Sequence, residues 1–119
     1  MTDTPPPDEQ RREHVRVGIS HACTLTWGDA SADDARLLDL SGRGCAVMST
    51  RERQLGDEGR ISIPFEEWTF DGPVVVRSAR DREDAWALGL NFPEAGSHDI
   101  DRLVREVFVE LRNQLRKSS

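Results

Sequence analysis

Two short clusters of polar residues carry the chemistry legible in this chain. Arg11-Arg12-Glu13-His14-Val15-Arg16 offers guanidinium forks, planar and permanently charged, whose donors match phosphate oxygens and the O6/N7 edge of guanine. Asp39-Leu40-Ser41-Gly42-Arg43-Gly44 sets a carboxylate, a hydroxyl and two glycines on one tight turn. Together they suit a guanine nucleotide. Each also has an ordinary structural explanation: an edge-of-domain Arg cluster is commonly a solvated patch, here balanced by Asp8 and Glu9, and Asp and Ser in a turn commonly satisfy backbone amides. Their conjunction with the order of segments favours the functional explanation: Arg-rich tail, strand, hairpin, Asp-x-Ser-x-x-Gly turn, further strands, one amphipathic helix.

Catalytic constellations are missing from the sequence. There is no His-Glu-x-x-His, no Gly-x-Ser-x-Gly and no Walker loop, and Gly42-Arg43-Gly44 lacks the third glycine and following helix of a dinucleotide fingerprint. His14, His21 and His98 with Cys23 and Cys45 show none of the paired short spacing of a zinc site, so neither metal nor cofactor is expected. Ser97-His98-Asp99 reads as a helix start. The chain is not expected to be an enzyme.

Composition narrows the partners. The 119 residues suffice for one domain with its own core, and no apolar run approaches the length of a membrane span of about 20 residues. The polar, Pro-rich start does not resemble a signal peptide, which predicts a cytoplasmic protein with no membrane insertion. A net charge of −6 argues against a general nucleic-acid binder. All cationic residues but Lys117 are arginines, a bias that a GC-rich genome also produces. Cys23 and Cys45 fall in alternating apolar segments and are expected as buried free thiols.

The elements that must position the two clusters follow from hydrophobic period. Residues 1–10 hold Pro5-Pro6-Pro7 and little to bury, so a flexible tail is expected there, with a single domain over 11–119. From Val17 to Trp27 the apolar residues keep period two, and shorter runs follow at Arg36–Leu40, Cys45–Ser49, Arg60–Phe65, Trp68–Phe70, Val74–Ala79 and Trp86–Phe92. Gly28 to Asp34 reads as a turn, and Trp27, Trp68, Trp86, Phe65, Phe70 and Phe92 fit inward positions. Such spacing predicts an antiparallel barrel or sandwich. Beyond Pro93 the period becomes helical through Ile100, Leu103, Val104, Val107, Phe108, Leu111 and Leu115, predicting an amphipathic helix over 98–116 with Ser97 or Asp99 as N-cap. Its stripe must cover an open barrel end or meet a partner.

With these residues in place the chain resembles the PilZ family, bacterial receptors for cyclic di-GMP. The family signature is Arg-x-x-x-Arg, often preceded by another Arg, then (Asp/Asn)-x-Ser-x-x-Gly some 20 to 30 residues later. Arg12 to Arg16 and Asp39 to Gly44 match both elements, and Leu88-Gly89-Leu90-Asn91-Phe92 resembles the family's Gly-x-x-Phe strand. The resemblance implies a mainly β fold: a six-stranded antiparallel barrel with a C-terminal helix and a flexible N-terminal tail. It implies that Arg12 and Arg16 contact guanine Hoogsteen edges and phosphates, with Arg11 adding stacking or charge. Asp39 and Ser41 would hydrogen-bond the ligand, and Gly44 would permit close ligand approach or a backbone angle denied to other residues. An Arg at position 11 further implies two stacked ligands per chain. Arg11–Arg16 is expected to stand off the barrel and fold onto it with cyclic di-GMP, presenting a surface to an unidentified effector, from a monomer or weak homodimer. Two alternatives compete. One is a degenerate PilZ-like interaction adaptor that binds no nucleotide, against which the intact motifs argue. The other is a barrel for single-stranded nucleic acid, which would need exposed stacking aromatics on a basic face.

Overall fold

Alternation along the chain closes into a ring of strands. The computed structural model describes residues 13–117. β1 (Val17–Trp27), β2 (Ala32–Leu40), β3 (Gly44–Ser49), β4 (Glu58–Pro64), β5 (Thr69–Arg82) and β6 (Ala85–Asn91) pair antiparallel in the order β1-β2-β3-β6-β5-β4, and β4 returns to β1. The expected six-stranded barrel is therefore present, its ring closed by the β1–β4 pairing. Every strand contributes to the interior: Leu25, Leu37, Val47, Ile61, Val74 and Leu88, one from each, are fully buried. Cys23 and Cys45 are buried free thiols, as their positions predict. Burial pushes the Cys23 thiol up to about 11 and Cys45 well above the usual thiol range.

One feature of β2 bears directly on the site. Its pairing with β3 slips between Leu37 and Asp39, so that Leu38 is an extra residue in the ladder. The bulge resets the in-and-out parity. Leu37 and Leu40 both reach the core, while Leu38 is exposed and Asp39 is held at the outer surface.

The structure departs from sequence expectation in β5. Trp68–Phe70 and Val74–Ala79 are separate runs in the sequence, divided by the turn-forming composition Asp71-Gly72-Pro73, yet Thr69–Arg82 is one strand. Pro73 sits opposite Arg60 of β4, at a point where β6 has not yet joined the other side, so its missing N–H breaks no ladder bond there. Strand β2 likewise begins at Ala32, inside the expected turn, which is confined to Gly28–Ser31.

The aromatic residues divide between core and surface. Trp27, Phe70 and Phe92 are buried, whereas Phe65, Trp68 and Trp86 are only partly covered. His21, Phe65 and Trp68 stack in series, and Trp68 meets Phe70 edge-on. This series receives the helix. In α1 (Ser97–Lys117), Glu106 accepts a 2.9 Å hydrogen bond from Trp68 Nε1, and the Arg102 guanidinium lies 4.1 Å over the Trp68 ring. Ile100, Leu103, Val104 and Val107 are buried, so the apolar stripe caps the barrel. The N-cap is Gly96, whose carbonyl takes the first helical bond from Ile100 N–H at 3.0 Å, one residue before the earlier of the two expected caps. No helix among the described residues is long and apolar enough to cross a membrane.

Candidate nucleotide site

The bulge in β2 and the turn after it assemble the site. Asp39, turned outward by the extra Leu38, accepts a 3.0 Å bond from Ala46 N–H on β3 and a 2.6 Å ion pair from Arg16 Nη1. The two sequence motifs are thus joined across 23 residues by one carboxylate. The Arg16 side chain is about half exposed, at 52%. An ion pair so placed contributes roughly 0–1 kcal/mol, so redirecting the guanidinium toward a phosphate or a base edge costs little.

Ser41 plays the structural part that its turn suggests. It is buried; its Oγ accepts from the N–H groups of Arg43 and Gly44 at 3.3 and 3.2 Å, and the Ser41 N–H donates to the Gly44 carbonyl at 2.9 Å. The hydroxyl rigidifies the turn beneath the site. Gly44 does not occupy the left-handed region, which removes one of the two roles expected of it. In the fold its missing Cβ makes room for strand β6, a role not expected from sequence: a Cβ there would overlap the Leu90 carbonyl oxygen and lie 3.4 Å from Asn91 Cα. With Phe92 N–H donating to the Arg43 carbonyl at 2.9 Å, the end of β6 is drawn against the turn.

Glu13, Arg43 and Gly42 join the site without having been singled out from sequence. The Glu13 carboxylate pairs with Arg43 at 3.0 Å, and its carbonyl accepts from Gly42 N–H at 3.0 Å. Gly42 is the junction of three segments, since a Cβ on it would stand 2.8 Å from Val104 of α1 and 3.3 Å from the Glu13 backbone. Val15 packs against the core. The expectation that Arg11–Arg16 stands off the barrel is therefore not met over Glu13–Arg16, because a backbone bond, two ion pairs and an apolar anchor dock that stretch. Arg11 and Arg12 lie outside the described residues.

A pocket of about 300 Å³ opens between the arm, the turn and the end of β6. His14 and Arg16 line it from the arm, Ser41 and Arg43 from the turn, and Asn91, Phe92 and Pro93 from the end of β6. A second pocket, about 380 Å³ and bordered by Trp27, Gly59 and Pro73, contains no motif residue. Among the described residues no cluster of His, Cys, Asp and Glu could hold a metal ion.

A closed six-stranded antiparallel barrel, presenting an arginine arm against an Asp-x-Ser-x-x-Gly turn, defines a PilZ-type domain. Residues 10–109 match the PilZ domain family, and the chain belongs to it. The fold resembles the PilZ domain of YcgR from Escherichia coli, solved with c-di-GMP, at TM-score 0.75 and 21% identity over 92% of this chain and 98% of that one. Full YcgR in complex with c-di-GMP gives TM-score 0.78 at 24% identity, covering 91% of this chain and 49% of that one. The Bacillus subtilis inhibitor of motility, MotI/DgrA, gives 0.71 at 24% identity, covering 94% and 57%. The chain thus spans about half the length of these two larger proteins. No curated protein matches it.

Proposed function

We propose that this PilZ domain is a receptor for cyclic di-GMP and not an enzyme. The observation that carries this reading is the Arg16–Asp39 pair, which brings the two family motifs to one surface beside the Ser41 turn. Arg12 and Arg16 address the guanine Hoogsteen edges and phosphate oxygens of the ligand. Asp39 and the turn receive a base from the barrel side. The ligand's two negative charges need only this local cluster of arginines, so the global charge of −6 is no obstacle.

Signalling follows from the junction at Gly42. A nucleotide that recruits Arg16 disturbs the ion pairs that dock the arm, and the arm and α1 both approach the turn at Gly42. The altered surface is read by an effector protein in the cytoplasm of a bacterium, with the domain acting as a monomer or weak homodimer. Arg11 supplies the extra cation that a stacked pair of ligands requires, so binding is expected to saturate at two per chain.

Calorimetric titration with cyclic di-GMP, with GTP and a short oligonucleotide as controls, tests the reading. Saturable binding of the cyclic dinucleotide alone is the expected result. Its absence, with the domain folded by circular dichroism, leaves the degenerate adaptor; saturation at one ligand, falling no further in Arg11→Leu, removes the stacked pair.

A further inference from the structure

We propose that Asn91 recognises the base edge of the ligand, its carboxamide oxygen accepting a hydrogen bond from the 2-amino group of one guanine seated in the pocket beside Arg16. The inference rests on the receptor reading and adds the residue that discriminates guanine from other purines. Nothing in the paired motifs points to Asn91; its place in the fold does.

Three observations bring it there. Asn91 is the last residue of β6, lying opposite Gly44 on β3, and the missing Cβ of Gly44 lets that end of β6 approach the turn. The Phe92 N–H bond to the Arg43 carbonyl fixes the exit of the strand. Because Leu90 and Phe92 both face the core, the residue between them faces outward, and the Asn91 side chain borders the same pocket as Arg16 and Ser41.

The chemistry is complementary. Arg16 is the donor for the O6/N7 edge, which leaves N1–H and the 2-amino group of that base without an acceptor from the arm. A carboxamide oxygen supplies one, and the amide also carries donors. The pocket, about 300 Å³, lies at the small end of the range of roughly 300–1,000 Å³ that holds small ligands, which suits one base and not the whole dinucleotide. The Pro93 ring provides an apolar flank for a purine.

The test uses cyclic di-GMP and cyclic di-IMP, whose hypoxanthine bases lack only the 2-amino group. Wild type is expected to prefer cyclic di-GMP by about tenfold, the discrimination of one good polar base contact, and Asn91→Ala to bind the two ligands alike. Asn91→Asp keeps the acceptor, so it should retain the preference while overall affinity falls through repulsion of the phosphates. A merely structural Asn91 would lower both affinities together. The inference is overturned if Asn91→Ala keeps the wild-type preference, or if wild type binds both ligands equally. Failure of wild type to bind cyclic di-GMP at all would sink the receptor reading and this one with it, whereas an unchanged preference in Asn91→Ala sinks this one alone.

Discussion

Replacing Gly44 by Ala probes the reasoning about the site through stability alone. The new Cβ would overlap the Leu90 carbonyl oxygen, and it would meet the carbonyl carbon at 3.3 Å and Asn91 Cα at 3.4 Å. Each of these is backbone, so no rotamer change relieves the contact. Strand β6 must move away from β3 at a place where the Gly44–Asn91 and Cys45–Leu90 pairs and the Phe92 N–H bond hold it. Overpacking of this kind costs about 1–3 kcal/mol. For a domain of this size each kcal/mol lowers Tm by about 4–6 °C, so the expected fall is about 4–18 °C. Gly28→Ala is the matched control: its Cβ would meet nothing within 4 Å, and its φ is not positive. That variant should melt with wild type or slightly above it. Thermal and urea unfolding followed by circular dichroism make the comparison. Equal melting of Gly44→Ala and Gly28→Ala would refute the close-approach account, and with it the argument for how Asn91 reaches the turn.

Other perturbations separate the site from its scaffold. Arg16→Ala should change unfolding free energy by less than about 1 kcal/mol, since it loses only an exposed ion pair, yet weaken cyclic di-GMP binding tenfold or more; unchanged affinity by calorimetry would count against the assignment. Asp33, 4% exposed, accepts from Trp27 Nε1 at 2.9 Å and pairs with Arg53 at 3.1 Å and Arg51 at 3.4 Å. Asp33→Ala should therefore destabilise by about 2–4 kcal/mol in urea, less than for a fully buried pair because Arg53 keeps Ser31 and Asp29, and a loss below about 1 kcal/mol would contradict this. The Cys23 thiol, raised from 9.0 to about 11 by burial, is held protonated by the fold, so its contribution is intact below pH 9 and lost as pH rises toward 11. The chain has no tyrosine and a single lysine, so alkaline destabilisation in that window should largely vanish in the Cys23→Ala, Cys45→Ala double variant.

What the sequence discloses depends on whether a signal is local. Strand β1 is read correctly from Val17 to Trp27 because only His21 interrupts its apolar period, and α1 is read to within a residue at each end because its stripe must face one way. Asp71-Gly72-Pro73 misleads because a turn composition lies where a strand has a partner on one side only. Phe65 and Trp68 have inward parity in the sequence but lie at and beyond the end of β4, where parity no longer decides burial. Within the site, Arg16 and Asp39 are legible because each belongs to a compact motif. Glu13 and Arg43 are not, because they occupy the variable positions of the same motifs and meet each other only when the arm docks on the turn; Asn91 is not, because it comes beside the turn only through the glycine contact across β3 and β6. The Asp33–Arg53–Trp27 network escapes for the same reason: its members come from a hairpin and a distant loop.

The closure of the ring has a consequence for the newly made chain. Both signature motifs have been synthesised once Gly44 is added, yet the wall of the pocket formed by Asn91, Phe92 and Pro93 arrives only with β6, almost the last strand material in the sequence. The seams β1–β4 and β3–β6 join segments far apart along the chain, the kind of pairing that forms slowly and late. A nascent or truncated chain ending in β4 would carry both signature motifs and still lack that wall of the pocket. On the proposed reading, ligand capture is in this sense a report that β6 has joined the ring and the barrel has closed.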